Sequence, residues 1–281
     1  MINLKAFSGA ETLIKPRQKW QLLDLPELWR FRELLLIFTW RDIKVRYKQT
    51  FLGVAWVILQ PLVTMFVFTV FFGKLAKIPS GNLPYQLFVF IGLVFWTYFS
   101  TALTSASNSF VENANIIKKV YFPKEILPIS SVITATVDFG INLCVLSILT
   151  FYFGFRPSPI ILIIAPISIF ITILSASGLG FFLASVNVKY RDVRYILPFF
   201  IQMLLFLTPV IYGSFSVRDS IRGFLLINPL TGVIESMRVA ISGTGTIEYK
   251  LLLISFFGAS IIFVLGLLYF KSTERFFADI A

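Results

Sequence analysis

Stretches without charge divide this chain into membrane-length pieces. Between Lys48 and Lys74 lie 25 uncharged residues, which predict a first span over about 51–72. Further apolar runs predict spans over about 85–107, 126–153, 159–186, 195–213 and 251–270, the third interrupted only by Asp138. Each is near or above the ~20 residues a helix needs to cross ~30 Å of hydrocarbon. The region 214–249 breaks this pattern. Its uncharged pieces, 223–234 and 239–247, are too short to cross and are punctuated by Arg218, Asp219, Arg222, Glu235, Arg238 and Glu248. Short helices that enter and leave on the same side fit it best. Ahead of the first span, residues 1–23 are polar. Asp24 then reads as a helix N-cap, with Pro26 and Glu27 in the first turn. The run "LWRFRELLLIF" mixes Arg30, Arg32 and Glu33 with large apolar side chains, so 24–50 reads as amphipathic helix lying in the interface. Residues 271–281 form a short C-terminal segment. The predicted class is an all-α polytopic membrane protein. It has six transmembrane helices, an N-terminal amphipathic interface helix, and outer-side re-entrant helices between spans five and six.

Composition agrees and removes several chemistries. Charged residues make up only 14% of the 281, against about 25% in soluble domains. Thirty-two phenylalanines are more than one soluble core can hide. With no His and a single Cys, an internal disulfide, most zinc, copper and iron sites and His-dependent acid–base catalysis are excluded. Hard-cation sites built from carboxylates stay open. The first 20 residues hold no continuous apolar core, so no secretory leader is expected. With both termini in the cytoplasm, 18 cations fall on the inner side and 7 on the outer, the asymmetry expected of a plasma-membrane protein in that orientation. No internal repeat links the first three spans to the last three, which disfavours an inverted-repeat secondary transporter. No phosphate loop is present, because "GKL" at 73–75 lacks the preceding glycine spacing. The basic segments flank lipid and give nucleic-acid binding little support.

Four places hold candidate chemistry. In "WRDIKVRYKQT" (40–50), a helical projection puts Trp40, Ile43, Tyr47 and Phe51 in one sector, with Arg41, Lys44 and Lys48 as a stripe beside it. Aromatic rings suit headgroup depth, and the cations suit phosphates. This is either a membrane anchor or a docking surface for an anionic lipid-linked substrate. In the second cytoplasmic loop, "VENANIIKK" predicts two helical turns ending at Lys118 and Lys119, with Pro123 beyond. Glu112, Asn113, Asn115, Ile116, Ile117 and Lys118 would form a knob for a cytoplasmic partner, or simply pack the loop. In "NVKYRDVRYI" (187–196), Lys189, Arg191 and Arg194 around Asp192 predict a charged elbow held by ion pairing. In span three, Asp138 shares a face with Thr134 and Asn142 and has no basic partner in another span. That polar strip is either a conduit or subunit contact, or interhelical hydrogen-bonding glue.

Four segments taken together resemble the permeases of type-2 ABC transporters that export polysaccharides. They are "WRDIKVRYKQTFLGVAWVILQPL" (40–62), "VYFPKEILPISSV" (120–132), "NVKYRDVRYILPFFIQMLLFLTPVIY" (187–212) and "INPLTGVIESMR" (227–238). The resemblance is nearest to the O-antigen, capsule and teichoic-acid exporters and covers roughly residues 35–270, leaving the polar N-terminus outside. It implies a permease without enzyme activity, two copies of which form one conduit in the bacterial inner membrane. A separate ATPase subunit on each copy would bind ATP and Mg. It also implies a coupling helix near 108–122 and outer gate helices over 214–245, with Asn228, Pro229, Glu235 and Arg238 at the gate. The cargo would be a polyprenyl-diphosphate-linked polysaccharide whose head meets Arg41, Lys44 and Lys48. Tyr85, Trp96, Tyr98, Phe199 and Tyr212 would line its route, since sugar C–H faces stack on rings. Two other readings remain at this point. One keeps the fold and exports a drug or small lipid. The other is a membrane glycosyltransferase or ligase, for which Glu112, Asp192 and Glu235 are loose carboxylate candidates.

Overall fold

The computed structural model describes residues 25–48, 53–190 and 192–274, and every regular element among them is helical. The polar segment 1–23, the Asp24 cap, Phe51, Arg191 and the tail beyond 274 lie outside the described residues. In chain order the helices are α1 (Leu25–Arg30), α2 (Arg32–Lys48), α3 (Gly53–Phe68), α4 (Tyr85–Glu112), α5 (Ala114–Ile117) and α6 (Ile126–Tyr152). They continue with α7 (Ile161–Lys189), α8 (Val193–Leu207), α9 (Asp219–Leu225), α10 (Pro229–Ser242) and α11 (Tyr249–Thr273). α3 runs on into a π-helical stretch, Thr69–Leu75, closed by Ala76 N donating to Phe71 O at 2.9 Å.

Five of these helices are long and apolar enough to cross a membrane: Gly53–Leu75, α4, α6, α7 and α11. They coincide with the expected spans one to four and six. The expected span over 195–213 is shorter, because α8 has 15 residues and stops at Leu207. The cause is the dipeptide Thr208–Pro209. A residue before proline is pushed out of the helical region, and Thr208 sits at φ −100°, ψ 136°. The chain then turns through 209–213, with Val210 N donating back to Thr208 O at 2.7 Å.

The helices sort by how much of their surface is covered. α4 is the hub: between Tyr85 and Phe110 most of its side chains are buried, and it packs against α6, α7, α3 and α10. α7 and α11 approach so closely that a Cβ on Gly266 would lie 2.0 Å from the Gly178 carbonyl. Small residues permit such contact, and without water to drive helix association it is close packing that gains the energy. α10 is buried on nearly all sides between α7, α11 and α4. By contrast α3 and α8 leave most of their apolar side chains exposed, among them Trp56, Phe66, Phe199 and Phe206. Residues 214–249 thus hold two short helices, α9 and α10, in place of a crossing.

Candidate functional site

α2 lies along the first half of α6. Residues four apart share a helix face, and one face of α2 carries Phe38, Asp42 and Arg46. Phe38 is buried edge-on against Phe122, 5.7 Å between ring centres, just ahead of α6. Two turns on, Arg46 Nη1 donates to Asp138 Oδ2 at 2.5 Å, and the Tyr47 hydroxyl donates to Asp138 Oδ1. Asp138 therefore does have a cation opposite it, supplied by α2 and not by another span. Burial first, then the hydrogen bond to Asp138 and its negative charge, push the Tyr47 phenol above its usual range. The hydroxyl consequently stays a donor at any physiological pH.

The rest of the basic stripe behaves differently. Arg41 is tied to its neighbour Asp42 through two hydrogen bonds, 2.7 and 2.9 Å, and lies 5.0 Å over the Phe38 ring. Lys44 sits 5.3 Å over Trp40, which is itself exposed, and Lys48 is exposed too. Trp40 and Tyr47, expected in one sector, thus end in different surroundings. Arg46 was missed by the projection although the inward-facing Phe38 and Asp42 precede it at four-residue spacing.

Beside Asp138 opens a cavity of about 510 Å³ between α3, α4 and α6. Trp56 and Gln60 line it from α3, Thr97, Tyr98 and Thr101 from α4, and Phe139 and Asn142 from α6. Tyr98 and Phe139 stack at 4.6 Å with 28° between their planes. Asn142 is buried. Its Nδ2 donates to the Asp138 carbonyl at 3.1 Å, while its Oδ1 has no partner among the described residues. Of the residues expected along a conduit, Tyr98, Asp138 and Asn142 meet here. Thr134 does not, since its buried hydroxyl is spent on Ser130 O of its own helix. Trp96 is in the core against Phe99, and Phe199 points outward from α8.

Tyr85 and Tyr212 belong to a second cluster, formed with the expected gate residues. Arg238 of α10 is 4% exposed. Its guanidinium donates to Val210 O at 2.8 Å, Tyr212 O at 3.3 Å and Phe88 O at 3.3 Å, and its carbon lies 3.4 Å from the centre of the Phe88 ring. Glu235 stands 3.3 Å away and accepts the Ser214 N–H at 2.7 Å. The Tyr85 hydroxyl donates to Ile211 O at 2.8 Å. Asn228 caps α10 by accepting from Leu230 N, with Pro229 at the first helical position, and donates to Thr208 Oγ1 at 2.7 Å. Pro209 releases 208–214 from helical bonding, and this cluster re-satisfies the freed backbone groups. Four side chains, Tyr85 of α4, Asn228 at the α10 cap, and Glu235 and Arg238 of α10, hold one irregular segment.

The loop after α4 forms a single helical turn, α5, where two were expected. Ile117 is buried with Phe110, Phe122 and Phe270, Ile116 is half-buried, and Asn113 is buried with its amide on Ser109 O. The surface offered outward includes Glu112, Asn115, Lys118 and Lys119, with Val111, Val120 and Tyr121 as its exposed apolar members. Behind it, the buried Glu125 pairs with Lys271 of α11, and Lys271 lies 3.4 Å from Glu274. Desolvation lowers the pKa of neighbouring Lys124, with Glu274 acting against it. At the third loop, Asp192 and Arg194 are exposed, and Lys189 lies 5.2 Å over the Tyr190 ring.

Residues 33–242 match the family model described as ABC-2 type transporter. The chain is 29% identical over 248 residues to the O-antigen export system permease protein RfbA of Klebsiella pneumoniae, covering 88% of this chain and 95% of that one. It is 30% identical over 212 residues to the RfbA permease of Myxococcus xanthus, covering 75% and 80%. Over 207 residues it is 24% identical to the polysialic acid transport protein KpsM of Escherichia coli, covering 72% and 78%. The chain belongs to the ABC-2 type transporter family.

Proposed function

We propose that this chain is the membrane subunit of an ATP-driven exporter that carries a polyprenyl-diphosphate-linked polysaccharide out across the bacterial inner membrane. The observation that carries the reading is the likeness, along nearly the whole chain, to permeases named for O-antigen export. The sequence holds no phosphate loop, so ATP and Mg belong to a separate ATPase. That subunit would dock on the surface around Glu112, Asn115, Lys118, Val120 and Tyr121. A second copy of the chain would complete the conduit. The exposed apolar faces of α3 and α8 are the surfaces such a copy, or lipid, would cover. Both termini lie in the cytoplasm in this reading, in line with the excess of cations assigned to that side.

In this scheme α2 receives the substrate. Lys44 and Lys48 are exposed and suit a diphosphate, whereas Arg41 and Arg46 are already matched by Asp42 and Asp138. ATP binding in the partner would press on the α5 loop. Because Ile117 and Phe122 share a packed cluster with Phe38 of α2 and Phe270 of α11, that motion reaches the docking helix directly.

Deletion and complementation test the reading. Cells lacking the chain lose surface polysaccharide and accumulate lipid-linked polymer inside, and a plasmid copy restores both. Intact surface polymer in the deletion strain refutes polysaccharide export and favours a drug or small lipid as cargo.

A further inference from the structure

Two cavities of opposite character meet at Tyr249, the first residue of α11. One is apolar, about 570 Å³, and lies between α7 and α11. Pro166, Ile167 and Phe170 form one wall, and Leu252, Leu253 and Phe256 form the other. The second, about 300 Å³, lies where the chain leaves α10 and where it enters α7. Ser158, Gly243, Gly245 and Thr246 line it.

Local chemistry accounts for both. At Gly178, α7 comes so near α11 that a Cβ would lie 2.5 Å from the Phe263 Cα. Towards their first turns, large side chains hold the two helices apart, with Phe170 and Phe256 stacked at 6.4 Å between ring centres. One turn earlier, Pro166 removes a backbone bond from α7. Phe170 and Leu253 are exposed along this cleft. The polar cavity follows from two left-handed glycines, Gly243 at φ 66° and Gly245 at φ 95°. Such turns suit residues without a Cβ, so no side chain fills the space. The N–H groups of Gly245 and Thr246 make no backbone hydrogen bond among the described residues.

Charge decides the occupant. Lys250 follows Tyr249, and the Arg156 carbonyl lies 3.3 Å from where a Gly243 Cβ would stand; both side chains are exposed. Glu248, the nearest carboxylate in sequence, is met by Arg222 at 3.4 Å. A phosphate at the polar cavity therefore finds two cations and backbone donors. A free phosphate would leave the apolar cleft empty, and a neutral hydrocarbon would leave the cations unmet. An anionic head joined to an acyl chain answers both. Tyr249, amphipathic itself, suits the boundary between head and chain.

We propose that the linked cavities bind one anionic glycerophospholipid, with its phosphate at the polar cavity near Arg156 and Lys250 and an acyl chain along the α7–α11 cleft. The inference needs only a membrane around these helices and does not depend on the cargo. A lipid held this way ties the first turns of α7 and α11 to the end of α10.

The test titrates the full-length chain, purified in mild detergent, with phosphatidylglycerol or with phosphatidylcholine of the same chain length, and counts bound lipid by native mass spectrometry. One phosphatidylglycerol per chain should bind at least about tenfold tighter than phosphatidylcholine. Lys250→Gln should weaken phosphatidylglycerol about fivefold and leave phosphatidylcholine unchanged, while Lys250→Arg stays within about twofold of wild type. Leu253→Trp and Ile167→Trp fill the cleft from opposite walls, and at least one should weaken both lipids about tenfold. Both positions are exposed, and a melting temperature near wild type identifies the variant that keeps its fold. Glycerol 3-phosphate, a head without chains, should not displace the lipid at equal concentration. Equal affinity for the two lipids, unchanged phosphatidylglycerol binding in Lys250→Gln, unchanged binding in both tryptophan variants, or displacement by glycerol 3-phosphate each overturns the site.

Discussion

Arg238 and Arg46 both sit where apolar helices meet, yet their surroundings differ in kind. Arg238 is 4% exposed and faces three backbone carbonyls, one carboxylate and a phenylalanine ring. Arg46 has its side chain 30% exposed and pairs with the Asp138 carboxylate at the edge of an open cavity. The first arrangement spends donors on the Val210 and Tyr212 carbonyls that a proline has freed, and the guanidinium is buried with them. The second is reachable by solvent and by a ligand. A guanidinium enclosed by carbonyls fixes a shape, whereas a partly exposed one beside a cavity can exchange partners.

Removing the arginine from the enclosed cluster should give the largest effect. Arg238→Met keeps the apolar stem and deletes every donor. Glu235 and the carbonyls of Val210 and Tyr212 are then left buried without them. Breaking a buried pair in this way costs about 3–5 kcal/mol. The expected result is loss of most folded protein, read as the monodisperse fraction on fluorescence-detected size exclusion in mild detergent. Arg238→Lys should fall between, because one ammonium cannot follow the fork of a guanidinium. Wild-type yield and melting temperature in Arg238→Met would erase the contrast between the two sites.

The Arg46–Asp138 pair should give less. Arg46→Met, Asp138→Asn and the double variant form a cycle whose coupling energy is expected near 1 kcal/mol, since water can reach both groups. The measurement is thermal unfolding of the purified chain. A coupling as large as the Arg238 effect would mean that the Asp138 cluster is as closed as the Arg238 one. It would then be unsuited to meeting a ligand.

Much of this contrast was invisible in the sequence, for identifiable reasons. Apolar run length carried the spans because lipid demands it, and five of six runs emerged as crossing-length helices. The sixth stopped at Leu207 because proline chemistry overrode apolar content, and the Thr208–Pro209 pair carrying that signal was in plain sight. Helical projection found a basic stripe on α2 but gives angle without depth, so it did not show that Arg46 reaches a carboxylate 92 residues away. Arg238 was noted as a charge in a segment too short to span. Its role depends on where carbonyls 210 and 212 fall after the chain turns, and no periodicity encodes that. Ile117 shows the opposite failure: two adjacent isoleucines on a loop suggested exposed surface, while a turn shorter than expected rotates Ile117 into the core.

Two tyrosines repeat the comparison on a smaller scale. Tyr85→Phe removes the hydroxyl that donates to Ile211 O, a contact in which both groups are buried. A buried carbonyl deprived of its donor costs about 1–3 kcal/mol. Tyr47→Phe removes the hydroxyl on Asp138, but that carboxylate keeps Arg46 and opens onto the cavity, where water can replace the lost donor. Its cost should therefore stay below about 1 kcal/mol. The order Tyr85→Phe above Tyr47→Phe in lost thermal stability follows from enclosure alone, because the chemical change is identical. The reverse order would place the closed site at Asp138 and the open one beneath Tyr85, and would invert the division between a fixed Arg238 cluster and an exchangeable Asp138 one.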